Sequence, residues 1–544
     1  MNDLVFYGGL NGAVFGNQQF TVRNLTFYNA VTAIDQIWDW GWTYTGISIN
    51  NCTTGLNMAG GGTKGQSVGA VTFLDSTFTN TKVAIVTAHN ATSFPATGGS
   101  LILDNIVLSN TPVAVQGPQG TVLNGGSLTI NGWGEGHEYT PNYQDKNFES
   151  SITKFSRPSS LTKNGLYYSR SKPQYQASTL SQFVSIRTAG AKGDGVTDDT
   201  AAINNALKNA ASAGQIVFFD AGTYKVTSTI TIPPGSKVVG ESYSVIMGAG
   251  SFFSSITSPQ PVVAVGAAGQ KGIVEWSDMI ISTQGATAGA ILIQWNLAST
   301  SSSPSGMWDV HTRIGGFAGS NLQVAQCPTT PGSTAVNTNC IAAFASMYIA
   351  PSATSLYMEN TWFWTADHDI EDPNETQITV YTGRGLYSAS TSGTIWMVGT
   401  AVEHHALYQY QFVGTKNVFA GQIQTETAYW QPNPNASAVF PVMNGWNDPN
   451  FATSCVGVPG QCNMGWGLRV VNSSSILVYG AGLYSFFNNY STSKFRSSPL
   501  AYGYNSADHN QRAPTLSSHL GMAGLARVES SASRERRLML TCII

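Results

Sequence analysis

Short apolar and polar runs alternate through the first part of the chain, and four of them share one pattern. They are Leu25–Ile34, Ile47–Leu56, Ser76–Ile85 and Ile106–Val115. In each, an asparagine ends an alternating run; four residues later come Ala or Gly and then an aliphatic side chain. The asparagines are Asn29, Asn51, Asn80 and Asn110, spaced by 22, 29 and 30 residues. Period-2 alternation reads as strand, and a repeat of this length reads as a solenoid coil with insertions of variable size. Asn suits the turn because it tolerates left-handed backbone. The pattern predicts an all-β chain of stacked parallel β-helix rungs. A β-sandwich is the alternative, and scarce Asn-Gly hairpin signals argue against it.

The repeat predicts a first β-helix over residues 1–133. From 134 to 177 the pattern breaks into a polar stretch with scattered aromatics, among them Tyr167, Tyr168 and Tyr175. This segment is expected to link the units while docking its rings against both neighbours. A second unit, 178–514, opens with Asp194-Gly-Val-Thr-Asp-Asp-Thr. There, Asp198 or Thr200 is expected to cap a short helix through Ile203 and Leu207, closing the end of a second solenoid. The Asp-rich spacing does not match an EF-hand, so no metal is expected. The last stretch, 515–544, bunches its charges without alternation and is expected to be a disordered tail.

Composition narrows the partners. Charged residues are only 10% of the chain, against ~25% in a typical soluble domain, and the net charge is −3. That gives no reason to expect nucleic acid, an anionic membrane or a polyanionic substrate. No run is long and apolar enough to span a bilayer. The start, MNDLVFYGGLNG, lacks the regions of a signal peptide. Seven N-x-S/T sequons nonetheless lean toward an extracellular protein. Cys327 with Cys340, and Cys455 with Cys462, lie close together in Pro/Gly/Thr-rich loops that a disulfide could staple, free thiols being the alternative.

Several unusual strings carry more. Gln36-Ile-Trp-Asp-Trp-Gly-Trp, Trp362-Phe-Trp-Thr-Ala-Asp-His-Asp, Glu403-His-His-Ala-Leu-Tyr-Gln-Tyr and Gln422-Ile-Gln-Thr-Glu-Thr-Ala-Tyr resemble the fungal exo-β-1,3-glucanases of glycoside hydrolase family 55. The opening motif at Asp194 resembles that of pectate-lyase-like β-helices, which marks a fold rather than a chemistry. The resemblance runs from residue 1 to about 510. It implies two right-handed parallel β-helices side by side with the active site between them. It also implies an extracellular, cofactor-free, monomeric enzyme that releases glucose from the non-reducing end of β-1,3-glucan with inversion. Glu426 matches the family's general acid and Glu403 its second carboxylate. Gln36 is the candidate for holding water from the first helix, and Gln424 lies in the acid's own string. The resemblance also implies a longer first domain than this one. The first helix is therefore expected to be incomplete, to expose an apolar end and to have lost part of the sugar site.

The residues support a glycosidase independently. Hydrolysis needs a proton donor and a second group near the scissile bond. Glu403 and Glu426 are 23 residues apart, close to the 22-residue beat, so they should fall on neighbouring coils. Close carboxylates push one pKa upward, as an acid catalyst requires. His404 could hold a carboxylate, and Asp367 and His368 could bind sugar hydroxyls or stabilise a turn. Trp38, Trp40 and Trp42 alternate, so one strand face could carry them as a sugar platform. Tyr429 and Trp430, just past Glu426, are expected to border the sugar. A pectin-active enzyme, or a non-catalytic glycan binder, is the rival; the first would need more than 26 Lys and Arg to meet galacturonate, and the second would not need Glu403 and Glu426 together.

Overall fold

The computed structural model describes residues 1–93, 98–139, 145–457, 462–491 and 528–529. Two parallel β-helices stand in tandem, side by side. In the first, one ladder stacks Asn2–Tyr7, Gln19–Tyr28, Gly41–Thr45 with Ser48–Asn50, Ala70–Thr79 and the start of Ser100–Gly117. A second ladder stacks Asn11–Gly16, Thr32–Trp38, Thr54–Met58, Val83–Thr87 and the end of Ser100–Gly117. The repeat's aliphatics fall in register, Ile34 against Leu56, Leu56 against Ile85 and Ile85 against Val115. All four are at most 1% exposed, so they form one inward row. The repeat's asparagines take left-handed φ values of 60°, 54°, 50° and 50°. Their side chains bond along the stack, Asn51 to Asn29 and Asn110 to Asn80, each at 2.8 Å.

Antiparallel strands close the far end of this helix. Gly120–Ile130 folds back on Ser100–Gly117, and Trp133–Tyr139 pairs with Leu101–Leu103 and with Asp145–Ser151. Part of the stretch expected to link the units therefore still belongs to the first sheet. Antiparallel strands carry no coil repeat, so the sequence pattern ends before the sheet does. At the near end the outermost strands leave Leu4, Val5, Leu10 and Val14 exposed.

The second helix begins with the strands Phe183–Ser185 and Asp194–Asp198, followed by the α-helix Thr200–Ala213, which packs Ile203, Ala206, Leu207 and Ala210 onto the first strands. Asp199, rather than Asp198 or Thr200, holds its N-cap position. Asp198 accepts the Thr200 N–H at 3.1 Å, and the Asp199 carboxylate takes Lys192 and Gly193 N–H at 2.7 and 2.9 Å. The Asp-rich motif is thus spent on folding its own loop. One ladder then runs through Lys237–Ala249, Glu275–Gln284, Ser305–Ile314, Leu356–Thr365, Ile395–Glu403, Lys416–Ala420 with Ile423–Glu426, and Ser474–Val478 with Ala481–Tyr484. A second ladder runs from Ile230–Ile232 to Trp466–Val471 across the core. Disulfides join Cys327 to Cys340 and Cys455 to Cys462, with Cα–Cα distances of 5.9 and 5.5 Å. Cys52 is buried without a disulfide; Cys542 and nearly all of 515–544 lie outside the described residues.

Apolar and charged contacts both fix the seam. Leu74 of the first helix, Leu161 and Tyr167 of the connecting segment, and Trp308, Trp396, Phe419 and Tyr479 of the second form one cluster. Arg157 spans Asp75 at 2.5 Å and Asp104 at 2.9 Å, and Tyr479 donates to Asp104 at 2.7 Å. Thr43 donates to the Gly421 carbonyl at 2.6 Å, bringing the helices into direct backbone contact.

Candidate active site

A few residues beyond that contact, the second helix presents a row of functional side chains. Trp364 pairs with Glu403, Glu403 with Glu426, and Glu426 with Tyr484, each in parallel register. Residues in register share a face and sit about 4.8 Å apart. The intervening positions, Phe363, Val402 and Leu483, point into the core. The two glutamates are therefore adjacent and turned outward, on neighbouring rungs as their spacing requires. One residue pair earlier, Trp362, Ala401, Gln424 and Gly482 share the same outward face. Ala401 and Gly482 keep it shallow. A Cβ at Gly482 would meet the Tyr484 ring at 2.6 Å, so only glycine lets that ring lie there.

The electrostatics of the row are uneven. Burial, reinforced by the Glu426 carboxylate, pushes the Glu403 carboxyl up to about 8. Glu426 keeps 19% of its side chain exposed. It accepts from Gln424 Nε2 at 3.4 Å on one oxygen and faces His404 Nε2 at 3.4 Å on the other. Burial opposes a charge on His404, but Glu426, Asp367 and Glu403 together overcome it and push the imidazole up to about 9. At neutral pH the cluster thus holds a protonated Glu403 and a cationic His404.

Asp367 and His368 border this cluster, bonded to each other at 2.9 Å. Asp369 instead accepts Gln323 Nε2 and the Val324 and Glu371 N–H groups, which ties a loop. Trp362 is 41% exposed and stacks on Trp364 at 5.2 Å. From the first helix, Trp40 packs edge-on against Tyr484 at 5.2 Å and against Phe486 at 5.9 Å.

Several expected contacts fall elsewhere. The three tryptophans do not share a face, because the strand breaks at Asp39. Its carboxylate takes Gly69 and Ala70 N–H at 3.0 and 3.1 Å and turns the chain. Trp42 packs against Phe15 and Phe20 and borders the seam cavity beside Trp40, while Trp38 lies over Gly16. Gln36 is 1% exposed inside the first helix, accepting from Tyr44 and donating to the Trp38 carbonyl. Tyr429 and Trp430 are fully buried. The chain turns inward after Glu426, so Tyr429 braces His404 from behind and Trp430 packs on Tyr381. His405 bonds Ser346 and Gln409 in the interior, where burial drives it down to about 3.

Tyr484 has no sequence signature, and Asp39 sits inside the Gln36–Trp42 string without being singled out by it. Burial raises the Tyr484 hydroxyl, and Asp39 and Glu426 raise it further, so it feels carboxylates of both helices. Burial also lifts Asp39 to about 8, although its backbone donors oppose this. The only hint lay in the alternation ending at Tyr484, read in register with Glu426. A larger cavity of about 540 Å³ opens among Ser437, Val442, Phe451 and Val456, but its described lining has no ionisable side chain to supply a proton.

Comparison with known proteins agrees with this architecture. The family model described as rhamnogalacturonase A/epimerase, pectate lyase-like, matches residues 1–57 and 183–305, the opening of each helix. A glucan 1,3-beta-glucosidase of Cochliobolus carbonum is 48% identical over 90% of the chain. A probable glucan endo-1,3-beta-glucosidase of Arthroderma benhamiae is 38% identical over 90%. The chain spans 61% and 66% of these relatives' lengths. Among solved structures, sacteLam55A from Streptomyces sp. SirexAA-E aligns over 86% of this chain and 71% of its own, at 16% identity and a TM-score of 0.38, too low to weigh. With paired helices, an in-register carboxylate pair and 48% identity along nine-tenths of its length, the chain is similar to a fungal glucan 1,3-beta-glucosidase, and its β-helices are of the pectate-lyase-like kind.

Proposed function

We propose that this chain hydrolyses laminarin-type β-1,3-glucan from the non-reducing end, releasing glucose with inversion and using Glu426 as general acid. The observation that carries this reading is the in-register pair Glu403 and Glu426, turned outward beside the seam. Such a pair titrates as a unit. In the resting chain its proton sits on the more deeply buried Glu403. Glu426 is the member a glycosidic oxygen can reach. A glycosidic oxygen seated over Glu426 would take its proton from that carboxyl group, with Glu403 adjacent on the neighbouring rung. Trp362, exposed and backed by the buried Trp364, offers the apolar face on which a pyranose ring stacks. Asp367 and His368 offer partners for its hydroxyls.

The names of the two relatives support the substrate class and divide on the point of attack. The two disulfides and seven sequons support an extracellular enzyme. The test is glucose release from laminarin, with the anomer of the first product followed by NMR. Glu426→Gln should lower kcat by at least ~10³-fold with the fold intact, a loss of about 4 kcal/mol of transition-state stabilisation. Undiminished hydrolysis by that variant sinks the assignment. Larger oligosaccharides as first products would replace exo attack by endo attack.

A further inference from the structure

We infer that His404 is a positioning residue for the carboxylate pair: locked by the Thr365 carbonyl, its ring aims Nε2 at Glu426 and fixes that carboxyl group beside Glu403. The inference rests on the reading of Glu403 and Glu426 as the catalytic pair. Its ground is geometry. His404 Nδ1 lies 2.9 Å from the Thr365 carbonyl oxygen, which can only accept, so Nδ1 carries a proton. That fixes the ring and aims Nε2 at Glu426 Oε2, 3.4 Å away. The His404 backbone N–H also bonds the Glu426 carbonyl at 2.8 Å, so main chain and side chain address the same residue.

The backbone itself is constrained. His404 sits at φ 68°, a left-handed conformation that costs a side-chain-bearing residue strain. It is 2% exposed, with its ring edge-on to Tyr429 at 5.1 Å and facing Phe487 at 6.3 Å. The strained turn has a use: it separates two consecutive histidines, sending His404 to the pair and His405 into the core against Ser346 and Gln409.

The ionisable groups around the ring come from every side of it. Glu403 precedes it, Glu426 lies on the next rung, Asp367 and His368 lie on the previous one, and Tyr429 and His405 complete the shell. Three carboxyl groups thus surround one imidazole. A charge on the ring is therefore felt by carboxyl groups on three neighbouring rungs.

The test uses the full chain and His404→Asn, since Asn accepts left-handed backbone. Removing a positive charge beside carboxyl groups raises their pKa values. Both limbs of the kcat/KM profile on laminarin should therefore move to higher pH, by roughly one unit. KM should stay near wild type while kcat falls. A variant that folds, loses rate and keeps both limbs in place would overturn the inference, because a merely structural histidine predicts that result. A second measurement does not need activity: NMR titration of isotope-labelled histidines in wild type and Glu426→Gln. The His404 resonance should titrate well above an ordinary histidine and drop by at least about one unit in the variant. An unchanged titration would overturn the inference even in an active enzyme. Loss of laminarin hydrolysis by wild type, with the titration shift present, would instead remove the functional reading and leave the His404–Glu426 coupling standing.

Discussion

Glu135 isolates what burial does to an acid in this fold, away from the catalytic row. It is 0% exposed, on a strand whose antiparallel neighbour places Glu149 directly opposite. Burial first, and Glu149 next, push its carboxyl up to about 8 from an ordinary 4.5, although a bond to Thr87 opposes the rise. The folded chain therefore keeps a proton that the unfolded chain sheds near 4.5. Stability from this site falls as pH rises from about 4.5 to 8 and levels off beyond. Glu135→Gln cannot lose a proton, so it should gain on wild type across that window, by on the order of a few kcal/mol at pH 9. The check is the difference in thermal midpoint between variant and wild type, measured at pH 5 and pH 9; equal differences at both would refute it. Some residues of the site were legible in sequence and others were not, for a physical reason. Glu403 and Glu426 could be paired because a coil repeat converts sequence distance into neighbourhood. Gln36, Tyr429 and Trp430 misled because a motif string says nothing about which way each side chain turns. Tyr484 is placed by its register with Glu426 and by Trp40 of the other helix, which no local pattern encodes.

At the scale of the element, the turn asparagines show how the coil is held. Asn80 has φ 50° and accepts from Asn110 at 2.8 Å, on an exposed corner. A left-handed residue with a Cβ costs about 1–2 kcal/mol, and an exposed hydrogen bond adds little. Asn80→Ala should therefore destabilise by about 1–2 kcal/mol, and Asn80→Gly by less than ~1 kcal/mol, because glycine loses the bond but not the conformation. Urea unfolding of the two variants separates strain from hydrogen bonding; equal losses would show that the ladder bond dominates. This corner was readable because the same φ recurs once per rung and selects the same residue type. The antiparallel strands Gly120–Ile130, Trp133–Tyr139 and Asp145–Ser151 were not, since each occurs once and the pairing of the first two with Ser100–Gly117 is set by packing at the helix end.

At the scale of the whole molecule, the row of Trp364, Glu403, Glu426 and Tyr484 is useful only if the first helix stays in place, because Trp40 must reach Tyr484 across the seam. Arg23 is the charged group that spans this seam most completely. Its Nε bonds Glu359 Oε2 at 2.7 Å and its Nη2 bonds Oε1 at 3.0 Å, a two-point contact from one helix to the other. Tyr357 donates to the same carboxylate at 2.6 Å, and Asp3 takes the remaining Nη1 at 2.8 Å. The side chains of Arg23 and Glu359 are 2% and 6% exposed, so solvent cannot replace either partner. Removing one leaves a buried charge uncompensated, which costs about 3–5 kcal/mol; replacing both with apolar groups of similar volume is often neutral. Arg23→Met should thus lower the unfolding midpoint sharply, while Arg23→Met with Glu359→Leu should recover much of the loss. The informative readout is activity measured well below either midpoint. If the seam positions Trp40 over Tyr484, the single variant should raise KM for laminarin while still folded, and the double variant should restore it. A single variant with lowered stability and unchanged KM would mean that Thr43, Thr72 and the aromatic cluster around Tyr479 hold the cleft in register without the ion pair.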